Sequence, residues 1–265
     1  AIALAMRGAV VTVLEQAEAV REVGAGIQVS PNGLAVLDAL GVGDVLRARC
    51  LRSQAVHLLD GLTGASVLRM DLAGLRPSQE FYLVHRADLV AILLDRARDL
   101  GVTVNTGCRV RGVEIGEDHV TLDVEGAGPR EAGFVVGADG LHSVLRHPLN
   151  GKRQPFFTGQ VAWRAIVPAT GDEPQEARVF MGPGRHFVTY PLRDGRQINI
   201  VAVEEREAWA EEGWHHRDDP ANLKRAFAGF AAGPRAIIDR VEEVHVWGLF
   251  RHAVADQWHK GPAVI

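Results

Sequence analysis

Cysteine is scarce in this chain of 265 residues, where Cys50 and Cys108 are the only two. Two thiols so far apart make no disulfide framework and lack the paired spacing of a zinc site. A reducing compartment, the cytoplasm, is therefore expected, with no metal. Basic runs of five or more residues are also missing, and the formal net charge is -4. That combination argues against a nucleic-acid or anionic-membrane surface and for a small-molecule partner. No apolar run reaches the ~18 residues that a membrane span needs, and the start lacks the basic segment and cleavage pattern of a signal peptide. Internal repeats and low-complexity segments are absent as well. What is present is a globular composition, 47% hydrophobic. A chain of this length buries roughly 70 to 75% of its unfolded surface, as one large domain or two small ones.

The stretch Val135-Val136-Gly137-Ala138-Asp139-Gly140-Leu141-His142-Ser143 organises the rest. Two β-branched residues run into a glycine-flanked acid, and a helix is expected over residues 141–147. A strand, tight turn and helix start would bring Asp139 and several backbone N–H groups to a strand's carboxyl end, where open α/β sheets bind ligands. The plainer reading makes Asp139 a helix cap in a glycine-permitted turn.

Residues 1–7 read as the last turns of an apolar helix closed by Gly8, and residues 10–14 as a buried parallel strand ending in Glu15. Helix and strand look like the second half of a βαβ unit, and residues 261–265 enter another apolar strand, so the chain is expected to be cut at both ends. Between them lie a glycine-rich loop at 23–27 and a helix opened by Ser30 as N-cap and Pro31. A hairpin at 55–70, a strand at 82–84 and a helix over 87–100 follow. After Pro148 antiparallel strands are expected at 160–166, 178–181, 186–192 and 198–203, the last two joined by an Asp194-Gly195 turn. A helix around 223–232 and the segment 240–247 close this second layer.

Several residues are candidates for chemistry. Glu15, directly after a strand, suits the acid that accepts hydrogen bonds from an adenosine ribose in dinucleotide folds, although a strand-ending acid is equally a solvated residue. Arg86, at a strand-to-helix junction, could reach a pyrophosphate or pair with Asp88. His186 and Tyr190 share one face of a strand under the two-residue period, so both could address one pocket or simply pack. Trp163, Arg164 and Arg185 are weaker candidates, with a solvated sheet edge the plainer reading of the arginines. His215-His216 reads as loop surface.

Three motifs together carry more than any one. Arg21-Glu22-Val23-Gly24-Ala25-Gly26-Ile27-Gln28-Val29-Ser30-Pro31-Asn32-Gly33, Val84-His85-Arg86-Ala87-Asp88-Leu89 and Gly137-Ala138-Asp139-Gly140-Leu141-His142-Ser143 resemble the single-component FAD-dependent aromatic hydroxylases, the salicylate hydroxylase and 3-hydroxybenzoate 6-hydroxylase branch above all. The resemblance covers essentially the whole chain. It implies an α/β fold, α+β overall, in which an FAD-binding Rossmann-like domain (residues 1–50, 83–155 and 246–265) is interleaved with an antiparallel-sheet substrate domain (51–82 and 156–245). It implies that a glycine-rich turn before Ala1 and a Gly-Asp motif after Ile265 are missing.

By the same resemblance, Glu15 matches the ribose acid, Arg21 and Arg86 match FAD-contacting arginines, Val110 matches a residue touching adenine, and Asp139 matches the acid of the second flavin motif. His186 and Tyr190 match a substrate-facing pair, with His186 the base for a phenolic proton. The implied activity is hydroxylation of a phenol or hydroxybenzoate ring by a flavin C4a-hydroperoxide, using FAD, NADH or NADPH, and dioxygen. A homodimer is the assembly considered. Two alternatives stand beside it: a catalytically silent module, and a related flavin-dependent oxidase or halogenase.

Overall fold

The structure is a computed structural model that describes residues 1–20, 26–74, 79–207 and 216–265. In chain order the first part comprises α1 (Ile2–Ala5), β1 (Thr12–Leu14), β2 (Gly26–Val29), α2 (Pro31–Ala39), α3 (Gly43–Arg49), β3 (Leu51–Arg52), β4 (Ala55–Asp60), β5 (Ser66–Asp71) and β6 (Tyr82–His85). Then come α4 (Arg86–Asp99), β7 (Thr103–Asn105), β8 (Val110–Ile115), β9 (Val120–Val124), β10 (Gly128–Ala132), β11 (Val135–Val136) and α5 (Arg146–Asn150). The remainder is β12 (Phe156–Pro168), β13 (Glu176–Gly182), β14 (Arg185–Leu192), β15 (Gln197–Glu205), β16 (Arg217–Asp218), α6 (Pro220–Ala226), α7 (Ala232–Asp239), β17 (Val244–Arg251), β18 (His259–Lys260) and β19 (Ala263–Val264).

The largest layer is an eight-stranded sheet in the order β16-β17-β12-β15-β14-β13-β4-β5. Its pairs are antiparallel except β13 with β4, which run parallel, so the 55–71 hairpin adds to the sheet's far edge. Odd-numbered side chains of β12 and β14, among them Trp163 and Phe187, and even-numbered ones of β15, Ile198, Ile200 and Ala202, face α6 and α7. Phe227 is the hub there, edge-on to Phe230 at 4.9 Å and in ring contact with Trp163 and Phe187. Burial of such aromatic surface stabilises the layer by about 25 cal/mol per Å².

The other face of the sheet meets a three-stranded sheet, β2-β6-β3, through Leu83, Ala177, Tyr190 and Leu192. Behind it α2, α3 and α4 close a second core around Leu34, Leu46, Val84 and Ile92. Parallel pairing is confined to short strands elsewhere, β1 with β7 and β11 with β19, beside the meander β10-β9-β8.

Several expectations need correction. The strand expected at 10–14 runs only from Thr12 to Leu14 and is half-buried: Val11 and Val13 pack on α1 and α4, while Val10, before the strand, is 102% exposed. The helix expected at 141–147 begins only at Arg146, since Asp139 ties the preceding turn down. The single helix around 223–232 is two, because the chain turns at Phe227 so that Phe230 packs inward with it. Ser30 stands at the N-cap of α2, yet its hydroxyl bonds the Asn32 side chain rather than a helix N–H. Finally, the hairpin loop after β14 holds residues 193–196, with positive φ at Arg193 and Asp194 as well as Gly195.

Candidate active site

Glu15 follows β1 and is tied to the neighbouring strand's loop: its N–H donates to Asn105 O at 2.9 Å and its carbonyl accepts Cys108 N–H at 2.9 Å. That loop leads two residues later into Val110, so the parallel pair brings Glu15 and the start of β8 together. The Glu15 carboxylate turns back on its own chain, with Oε1 accepting Ala17 N–H at 2.8 Å, while its other oxygen is not used by this turn.

Asp139 ties down the turn before α5 and is not its N-cap, which is Leu145. Oδ2 accepts Val144 N–H at 2.7 Å and Leu145 N–H at 3.3 Å. The glycine before it is required by close approach, because a Cβ on Gly137 would lie 2.7 Å from Leu145 Cδ2. Oδ1 is left outside this turn, on an exposed side chain. Turn and strand end are held by Gly137 N–H on Val264 O and by the His252 ring on Leu141 O at 2.6 Å.

Arg86 opens α4 immediately after β6, in the geometry its sequence context implies. Asp88, two residues on, makes an ion pair with Arg193 of the β14–β15 loop at 3.4 Å, which links this helix start to the large sheet. Arg21 lies outside the described residues, as does His215.

On β14, His186 is partly buried and Tyr190 only 4% exposed, both on the face turned toward β2 and β6. Burial lowers the His186 pKa below its ordinary 6.5, so its ring is neutral at pH 7. Burial raises the Tyr190 phenol above its usual range, against the opposing pull of Arg164. Tyr190 is therefore a proton donor in hydrogen bonds, and His186 the only one of the two fit to take a proton. Their settings differ: Tyr190 is wedged between the layers among Leu83, Ala177 and Leu192, while His186 lies across from Met181 and Val203.

The weaker candidates separate by face. Arg164 lies mid-sheet with its guanidinium 4.9 Å from the Trp247 ring, which is no solvated edge. Trp163 points the other way into the helix-covered core, its Nε1 donating to Asp218 at 2.7 Å under the Arg206 guanidinium. Arg185 pairs with Glu204 at 3.4 Å on that same side. A cavity of about 610 Å³ there is lined by these charges and belongs to the helix-covered face, away from His186 and Tyr190.

The sequence reading missed Asn199. It sits in β15 directly opposite Tyr190, 1% exposed, and its Oδ1 accepts Gly26 N–H at 2.7 Å. One polar side chain inside the apolar run Ile198-Asn199-Ile200-Val201 was the available signal.

Comparison with known proteins decides the family. All of residues 1–265 match the family model described as an FAD binding domain. The chain belongs to the FAD-binding flavoprotein monooxygenases. It is 34% identical over 270 residues to a 3-amino-4-hydroxybenzoate 2-monooxygenase of Streptomyces platensis, covering 98% of this chain and 67% of that one. To a 3-hydroxybenzoate 6-hydroxylase of Klebsiella oxytoca it is 31% identical, covering 97% and 66%. The chain thus spans about two thirds of the length of these relatives. Among solved structures, HpxO of Klebsiella pneumoniae with FAD and uric acid superposes with a TM-score of 0.80 at 23% identity, covering 96% of this chain and 71% of that one, a likeness of fold. The expected family, fold class and cofactor are those found.

FAD is the cofactor of a flavoprotein monooxygenase, and the donor set here fits it. A ribose diol needs acceptors, and Glu15 offers a carboxylate oxygen at a strand's carboxyl end, the position where open α/β sheets bind nucleotides. A pyrophosphate needs donors, and Arg86 brings a guanidinium to the first turn of α4. Asp139 keeps Oδ1 beyond its turn, as an acceptor for a hydroxyl or N–H.

Proposed function

We propose that the protein hydroxylates a phenolic or hydroxybenzoate-type ring, taking electrons from NADH or NADPH. One oxygen atom of dioxygen enters the ring and the other leaves as water. The observation that carries this is the pairing of a neutral, partly buried His186 with a buried, protonated Tyr190 on one face of β14. FAD, when bound, supplies the oxygen-transfer chemistry. Glu15, Arg86, Val110 and Asp139 would hold it, together with Arg21.

The chain's own part is to bind, orient and manage one proton. His186 accepts the phenolic proton, which raises electron density on the carbon attacked. Tyr190 donates its O–H to a substrate oxygen, and the apolar side chains around it keep water out of the reaction. The division into an FAD part and a substrate part is supported by sheet membership, since the eight-stranded sheet draws only on 55–71 and 156–251, with β17 running across the 246 boundary. The two free thiols support a reducing compartment, the cytoplasm.

Substrate-stimulated oxidation of NADH or NADPH, with the hydroxylated product identified, is the direct test. His186→Ala is expected to lower kcat/KM by roughly 10²- to 10⁴-fold, the range for loss of a positioned base. Because His186 titrates below 6.5, activity should persist from neutral pH to below that value and fall only in more acid solution. Unchanged turnover in both His186→Ala and Tyr190→Phe would remove the pocket assignment. Oxidation that yields hydrogen peroxide alone would point to an oxidase. The silent-module alternative has a separate test. Purified protein without a flavin absorbance band would support it.

A further inference from the structure

We propose that Asn199 is a positioning residue, a lock that fixes Tyr190 relative to the helix start bearing Arg86 by holding the backbone of Gly26 between them. The proposal rests on the reading above, in which Tyr190 addresses the substrate and Arg86 the flavin. Asn199 Oδ1 takes the Gly26 N–H across 173 positions of sequence. Gly26 is pressed against both partners: a Cβ there would stand 2.4 Å from Tyr190 Cε2, 2.6 Å from its hydroxyl and 2.8 Å from Asn199 Cγ. Gly26 also pairs in register with His85, the residue before Arg86. A continuous series of contacts therefore runs from Tyr190 through Asn199, Gly26 and His85 to Arg86.

A merely space-filling role explains the residue poorly. Asn199 Nδ2 is buried with no acceptor among the described residues, a defect that leucine would avoid. What leucine cannot do is accept the Gly26 N–H. Two strands from distant parts of the chain meet at this one amide, between residues whose separation sets how ring and flavin are aligned. Small misplacements of reacting groups cost rate steeply. Here they would let reductant be oxidised without ring hydroxylation.

Asn199→Leu and Asn199→Asp in the FAD-loaded protein divide the possibilities, because aspartate keeps an acceptor and leucine does not. Three readouts apply: hydrogen exchange at the Gly26 amide, the ¹⁹F resonance of 3-fluorotyrosine at Tyr190, and hydroxylated product per reductant oxidised. The chain has only two tyrosines, so Tyr82→Phe assigns the resonance. Asn199→Leu should speed Gly26 exchange about tenfold, the worth of one hydrogen bond. It should also shift or broaden the Tyr190 signal and lower the coupling ratio severalfold, with KM for reductant unchanged. Asn199→Asp keeps the acceptor and should hold Gly26 exchange, the Tyr190 signal and coupling nearer wild type than Asn199→Leu does, at a cost in overall stability for a carboxyl at a 1% exposed position.

Asn199→Leu with wild-type exchange and an unmoved Tyr190 signal would overturn the lock, as would equal loss in Asn199→Asp. Should Asn199→Leu not fold, Gly26→Ala approaches the same contact from the other side. It is expected to displace the Tyr190 signal while residues 197–205 stay protected, and an undisplaced signal counts against the lock. Exchange and resonance need no turnover. Absence of any hydroxylated product would thus end the functional reading without deciding this one.

Discussion

Asp139 is proposed to divide two roles between its two oxygens. Oδ2 holds the turn before α5, and Oδ1 is the atom proposed above for the flavin. Asp139→Ala should therefore cost about 1 kcal/mol of stability without flavin, the worth of a capping acceptor, and weaken FAD binding in addition. Asp139→Asn should keep the first property and show the second in reduced form; thermal melts with and without FAD separate the two. The turn was legible in sequence because its cause is local: Gly137 gives way to Leu145, and Asp139 reaches N–H groups five and six residues on. Asn199 was not legible as a contact, because its partner is set by the meeting of two sheets. Arg164 shows the same limit, since only the strand register brings Trp247 beneath its guanidinium.

Elements were legible where one period dominated. Helix α4 and the strands β14 and β15 lie within a residue or two of their expected bounds, because apolar repetition and flanking glycines mark them. The break between α6 and α7 was hidden, as apolar spacing continues through it while Phe227 and Phe230 turn inward together. Phe227→Ala should accordingly cost about 3 to 5 kcal/mol in chemical denaturation, the range for emptying a buried aromatic site. Glu173 ties the β12–β13 loop to the end of α7. It accepts Thr170 and Gly171 N–H groups and pairs with Arg240 at 2.9 Å, beyond the end of α7. Burial works against its charge, yet those N–H groups and Arg240 together hold its pKa at about 2 against an ordinary 4.5. A depressed carboxylate stabilises the fold above the unfolded value and ceases to do so as protons bind the native state. Stability owed to Glu173 should thus be complete above pH 4.5 and vanish progressively toward pH 2. Glu173→Gln should flatten that part of the melting-temperature profile.

At the scale of the molecule, the candidate FAD residues are spread over the end of β1, α4, β8 and the β11–α5 turn, which fall into two packing layers, β1 with α4 and β8 with the β11–α5 turn. A ligand touching all of them would tie those layers together. With FAD at a hundred times its Kd the folded state should gain about 2.7 kcal/mol, visible as a rise in Tm that the Asp139 variants diminish. The two-layer plan was foreseen from the change of pattern after Pro148. The route by which the 55–71 hairpin enters the large sheet was not, because parallel addition to an edge leaves no mark in local periodicity.

That parallel edge also orders events in time. β4 cannot find its partner until β13, more than a hundred positions later, has been made and brought back. During synthesis the hairpin must wait, with Val67, Leu68 and Met70 on a strand that stays exposed even in the finished fold. Closing so long a loop is slow, and an unpaired apolar edge invites other chains in the interval. Refolding from denaturant should therefore lose yield as protein concentration rises, and the loss should shrink when Leu68 is replaced by lysine.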